Sequence, residues 1–105
     1  MSKATTARPF KEELPELLRE RGLTLRGLAR DLGGVDHAYL SRMIHGQVAV
    51  NAAQVHRIST HLGLPDDYFP EVRQARTIEA IREDPELRDE IYFRFLGRRR
   101  ARSRN

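Results

Sequence analysis

The chain of 105 residues carries nineteen basic and fifteen acidic side chains, a net charge of +4, and no cysteine. That length sustains a single core with a short appendage, and without cysteine there are no disulfides, thiolate metal centres or cysteine nucleophiles. No apolar run approaches the ~18 residues of a membrane span, and the opening MSKATTARPF lacks the apolar segment of a secretory signal, so a cytoplasmic protein with no membrane association is expected.

The charge is unevenly placed. Arg98, Arg99, Arg100, Arg102 and Arg104 fall in the last eight residues; without them, positions 1–97 hold fourteen basic against fifteen acidic residues. The body is near neutral, and the excess belongs to the tail, whose composition predicts disorder over 98–105 until it meets an acidic partner.

Residues 1–9 are small and polar without periodicity, the pattern of a flexible arm. Phe10, Leu14 and Leu17 then fall on one helical stripe that ends at Gly22. Pro15 would cost this helix ~3 kcal/mol in its interior, which places the start at Glu12 or Glu13. Thr24 caps a second helix, Leu25–Leu32, closed by Gly33. After the turn Gly33-Gly34-Val35, Asp36 caps a third, His37–His45, which stops at Gly46. Asn51 caps a fourth over Ala52–Leu62, with Val55, Ile58 and Leu62 turned inward.

Residues 65–70 form a turn that tucks Tyr68 and Phe69 against the bundle. Val72, Ala75, Ile78 and Ile81 mark a fifth helix. Asp84 caps a sixth, Glu86–Leu96, with Pro85 at its first position, where the missing N–H costs nothing. Nothing alternates long enough to make a strand, so the class is all-α, with 10–70 as one domain and 71–97 as C-terminal helices.

The second and third helices form a helix-turn-helix pattern. At ~100° per residue the third gathers His37, Ala38, Ser41, Arg42 and His45 on one side and Tyr39, Leu40, Met43 and Ile44 on the other. The polar side suits the major groove of double-stranded DNA, where an arginine can bond guanine O6 and N7 together.

The segments LLRERGLT (17–24), LARDLG (28–33), YLSRMIHG (39–46) and HLGLPDDYF (61–69) make residues 14–69 resemble the Cro/C1-type, or XRE, helix-turn-helix family. The resemblance implies the five-helix phage-repressor fold, here with an added C-terminal helix. It further implies base contacts from His37, Ala38, Ser41 and Arg42, and phosphate contacts from Thr24, His45, Gln47 and Asn51. Two departures stand out. Leu25 occupies a position where many members carry a phosphate-binding glutamine, and the turn at 33–35 is one residue longer than usual.

Other chemistry is poorly supported. The four histidines lack the i, i+4 spacing of a helical metal pair, so no metal or other cofactor is expected. No nucleophile elbow or phosphate-binding loop occurs, and no enzymatic activity is expected. The last helix has more apolar residues than one contact face can bury, which points to a dimer interface through Leu87, Ile91, Tyr92 and Phe95. Packing against the fifth helix is the competing explanation. Two functions follow: a dimeric, DNA-binding transcriptional repressor, or an antitoxin-like or accessory module whose last helix holds a protein partner.

Overall fold

The computed structural model describes residues 5–97, which form α1 (Phe10–Glu20), α2 (Leu25–Asp31), α3 (His37–Ile44), α4 (Ala52–His61), α5 (Pro70–Glu83) and α6 (Pro85–Ile91). A π-helical turn, Tyr92–Leu96, follows α6. There is no strand among the described residues, and the class is all-α. The arginine tail, and with it the expectation of disorder, lies outside the described residues.

Four of these helices start where the sequence supplies acceptors for free N–H groups. Thr24 accepts from Gly27, Asp36 from Ala38, Asn51 from Ala53 and Gln54, and Asp84 from Glu86 and Leu87. Each such cap stabilises its helix by about 1 kcal/mol.

Three helices also end alike. In α1, α3 and α4 the chain turns back so that an N–H beyond the helix reaches a carbonyl five residues earlier: Leu23 to Leu18 (2.8 Å), Gln47 to Arg42 (2.8 Å) and Leu64 to Ser59 (2.8 Å). A second bond closes each turn, as from Gly46 to Met43 (3.2 Å). This is the Schellman arrangement, which requires a left-handed residue that glycine supplies at no steric cost.

The first helix begins earlier than its proline suggested. It opens at Phe10, leaving Pro15 well inside, where the Lys11 carbonyl loses its intrahelical donor. Tertiary contacts decide this. Phe10 is fully buried and packs edge-on against Phe69, ring centroids 5.2 Å apart, while its N–H points between the two Glu71 carboxylate oxygens, each at 3.2 Å. A side chain sixty-one positions away thus serves the helix start that Pro9 cannot cap.

Part of the expected flexible arm is also tied down. The Thr6 N–H donates to the Tyr68 carbonyl (3.1 Å), and Arg73 donates to the Thr6 carbonyl (2.7 Å). Tyr68 and Phe69 are buried, as the turn at 65–70 implied. The Tyr68 hydroxyl donates to Glu13 at 2.6 Å. Burial, then this bond to a carboxylate and its charge, push the phenol pKa up to about 12.

Phe10, Leu14, Leu40, Met43, Ile58 and Phe69 form the heart of the core. Buried Ser59 donates to the Val55 carbonyl (3.0 Å), so no polar atom is stranded there.

The chain divides into two compact units, one ending at Gln74 and one starting at Ala75, a division that falls within α5. The core lies entirely in the first. Among the described residues of the second unit none is buried, and Phe93, Phe95 and Leu96 stand 68%, 57% and 52% exposed. The expected last helix, Glu86–Leu96, is regular only to Ile91. Beyond it the ladder widens so that Gly97 N–H reaches the Tyr92 carbonyl, five residues back, in a segment where no buried face enforces the α-helical register.

Candidate nucleic-acid interface

α3 is held from below and at both ends, which leaves one face free. Leu40 and Met43 have no exposed surface, and Tyr39 and Ile44 pack as half-buried residues at the edge of the core. Asp36 fixes the first turn (Ala38 N–H to Oδ1, 3.0 Å), and the Gly46 turn fixes the last. On the outer face Ala38, Arg42 and His45 are exposed, and His37 and Ser41 are half-buried. The two-sided helix read from the sequence is therefore present.

Arg42 makes no hydrogen bond or ion pair with its side chain among the described residues. Its guanidinium donors remain available to an external acceptor, and the neighbouring Ala38 leaves room for close approach.

Ser41 and His45 form a pair along the same face. His45 Nδ1 lies 2.7 Å from the Ser41 carbonyl oxygen and 3.3 Å from Ser41 Oγ. A carbonyl oxygen can only accept, so Nδ1 carries the hydrogen and Nε2 has no partner among the described residues.

The caps at the margins have a useful chemical asymmetry. Thr24 Oγ1 accepts from Gly27 N–H (3.0 Å), which leaves the hydroxyl hydrogen uncommitted. Asn51 Oδ1 accepts from Ala53 and Gln54 (2.9 and 3.2 Å), which leaves its NH₂ uncommitted. Both side chains are exposed, and both spend their acceptor on the helix while keeping a donor, the type of group a phosphate needs. Gln47 is exposed as well. Asp36 is the exception, since its cap places a negative charge beside the outer face of α3.

Two arginines were missed by sequence reasoning. Arg26, exposed and unpaired among the described residues, sits beside Leu25 at the start of α2, one position from where the resemblance directed attention. Arg57 is different: its guanidinium donates to the Leu32 carbonyl (2.8 Å) and to Gln54 Oε1 (3.2 Å), so it is bound up in the fold. No sequence signal separates the two, because both are arginines in polar helical positions.

The histidines outside α3 have ordinary partners. His56 faces Asp66 at 3.3 Å, and His61 faces Asp31 at 3.9 Å. No cluster of three metal-ligating side chains occurs among the described residues. Among them, too, no helix is long and apolar enough to cross a membrane.

A domain with a capped helix packed by one face over a glycine turn, its other face polar and free, belongs to the helix-turn-helix class. The family described as "Helix-turn-helix domain" matches residues 12–72, more than half of the chain. The chain belongs to that family, which points to DNA as its ligand. The match ends at Val72, the last buried residue among the described residues. No match was found among curated proteins or among solved structures.

Proposed function

We propose that the protein is a sequence-specific, non-enzymatic transcriptional regulator of the Cro/C1 type, a homodimeric repressor that acts on DNA in the bacterial cytoplasm. The observation that carries this reading is the outer face of α3. Its unpaired arginine stands among His37, Ala38, Ser41 and His45, over an inner face anchored by the fully buried Leu40 and Met43. His37, Ala38, Ser41 and Arg42 face base edges; Thr24, His45, Gln47 and Asn51 grip phosphates, with Arg26 joining them.

Selection of bound duplexes from a random pool, followed by titration of the recovered sequence, tests the proposal. A recovered palindrome supports it and gives the symmetry of the complex. Recovery of no preferred sequence sinks it.

A second reading rests on the second unit, whose exposed aromatic residues favour a protein-binding module of the antitoxin or accessory kind. Under that reading DNA binding is weak and disappears when residues 98–105 are deleted, because only the arginine tail then supplies affinity.

A further inference from the structure

The α2–α3 connection is the one place where the helix-ending pattern of this domain is incomplete. After α1 and α4 the glycine is followed directly by an apolar residue, Leu23 or Leu64, whose N–H returns to the helix. After α2 a second glycine intervenes before the apolar Val35. Gly33 and Gly34 are both left-handed, with φ +62° and +87°. Gly33 N–H makes the shorter bond, to the Arg30 carbonyl (3.1 Å), but among the described residues no N–H of Gly34 returns to Ala29. The turn that presents the reading helix therefore lacks one of its two backbone closures.

A side chain from another helix arrives at that spot. Arg57 of α4 donates through Nη2 to the Leu32 carbonyl (2.8 Å), at the residue that ends α2, while Nη1 is steadied by Gln54 Oε1 (3.2 Å). One helical turn further along α4, His61 Nε2 approaches Asp31 Oδ2 at 3.9 Å. Asp31, Leu32, Arg57 and His61 line an open groove of about 460 Å³ between the two helices.

We infer that Arg57 is a positioning residue for DNA recognition: it replaces the missing closure of the α2–α3 turn and thereby fixes the direction in which α3 presents Arg42 and its neighbours. The inference rests on the proposed DNA-reading role of α3. The physical reason is that two successive left-handed glycines leave the connection free to pivot, and the Arg57 bond anchors the carbonyl from which the pivot starts. Arg57 thus differs from a phosphate-gripping arginine, since its donors already have acceptors inside the fold.

The test compares the full chain with Arg57→Ala, with a form lacking Gly34, and with the two changes combined. Amide hydrogen exchange is read without DNA. Affinity is read on the selected duplex and on an unrelated one across a salt series. Arg57→Ala should speed exchange at Leu32 and Gly33 about tenfold while Leu17 and Leu18 in α1 keep their rates. It should weaken binding to the selected duplex at least about tenfold, with little change on the unrelated duplex and the same salt slope.

Deleting Gly34 brings Val35 to the position held by Leu23 and Leu64 after their helices. In the combined variant it should restore slow exchange at Leu32 and Gly33. Unchanged exchange in Arg57→Ala overturns the clamp whether or not the protein reads DNA. Equal losses on both duplexes with a shallower salt slope overturn it in favour of a phosphate contact, and a fall in exchange protection throughout α1 overturns it in favour of general stabilisation. Should the wild-type chain show no sequence preference, the functional reading fails while the exchange data still decide the clamp.

Discussion

On the outer face of α3, His45 Nδ1 stands 2.7 Å from the carbonyl oxygen of Ser41, one turn earlier in the helix. That bond commits Nδ1 to the helix and leaves Nε2 as the ring nitrogen that a phosphate could engage as a donor. A phosphate rewards only the donor. His45→Ala should therefore weaken binding to selected and unrelated duplexes alike and lower the salt slope. The decisive quantity is the difference between wild type and His45→Ala across a salt series. Parallel curves refute the contact.

Arg42→Ala removes the unpaired guanidinium at the centre of the reading face. Binding to the selected duplex should fall by about 1–3 kcal/mol, with relaxed preference at one base position and no change in thermal midpoint, because the side chain holds nothing in the fold. Fluorescence anisotropy on the selected duplex and single-base variants measures both effects. Retained preference at every position would remove Arg42 from base reading.

Asp36 caps α3 at the cost of a negative charge beside the proposed DNA surface. Asn caps about as well as Asp, so Asp36→Asn should keep stability within about 0.5 kcal/mol and tighten binding to selected and unrelated duplexes alike. Weaker binding would show instead that the carboxylate touches a base, as an acidic side chain can at cytosine N4.

The exposed aromatic residues of the second unit supply a test of the proposed dimer. Of the residues expected at the interface, Leu87 and Ile91 are half-buried, whereas Tyr92 and Phe95 are exposed; Phe93, left out of that expectation, is the most exposed of all. Replacing Phe93 and Phe95 with serine together should convert a dimer to a monomer in sedimentation and reduce binding to a two-half-site duplex far more than to a single half-site. A wild-type monomer at micromolar concentration, or a variant that remains dimeric, refutes this interface.

Tyr68 predicts an alkaline limit of stability in the first unit. Its phenol pKa stands near 12 in the folded chain, against about 10 when unfolded, because burial and the Glu13 carboxylate disfavour the phenolate. The associated stability is fully present below about pH 10 and is lost as pH rises through the folded value, since the unfolded chain gives up its proton first. Tyr68→Phe should cost about 1 kcal/mol at neutral pH and lessen the decline between about pH 10 and about pH 12. Urea midpoints at the two ends of that range decide the matter.

Helix starts and stops were legible because their causes are local. Thr24, Asp36, Asn51 and Asp84 each act on an N–H two or three residues away, and all four cap as their positions implied. The inner and outer faces of α3 were legible for a similar reason, since a 3.6-residue period needs no knowledge of the partner helix. The start of α1 was hidden because Pro15 is a local signal, whereas Phe10 and Glu71 act on each other across the fold.

The paired glycines announced a longer turn between α2 and α3, and local rules went no further than that. Whether such a turn swings freely or is held depends on which donor lies above the Leu32 carbonyl. Only the tertiary structure supplies the answer, because it brings Arg57, twenty-five residues later, to within 2.8 Å. Local chemistry set the caps, turns and faces of this protein. Packing between distant segments decided which arginine is spent on the fold and which remains free for an external acceptor.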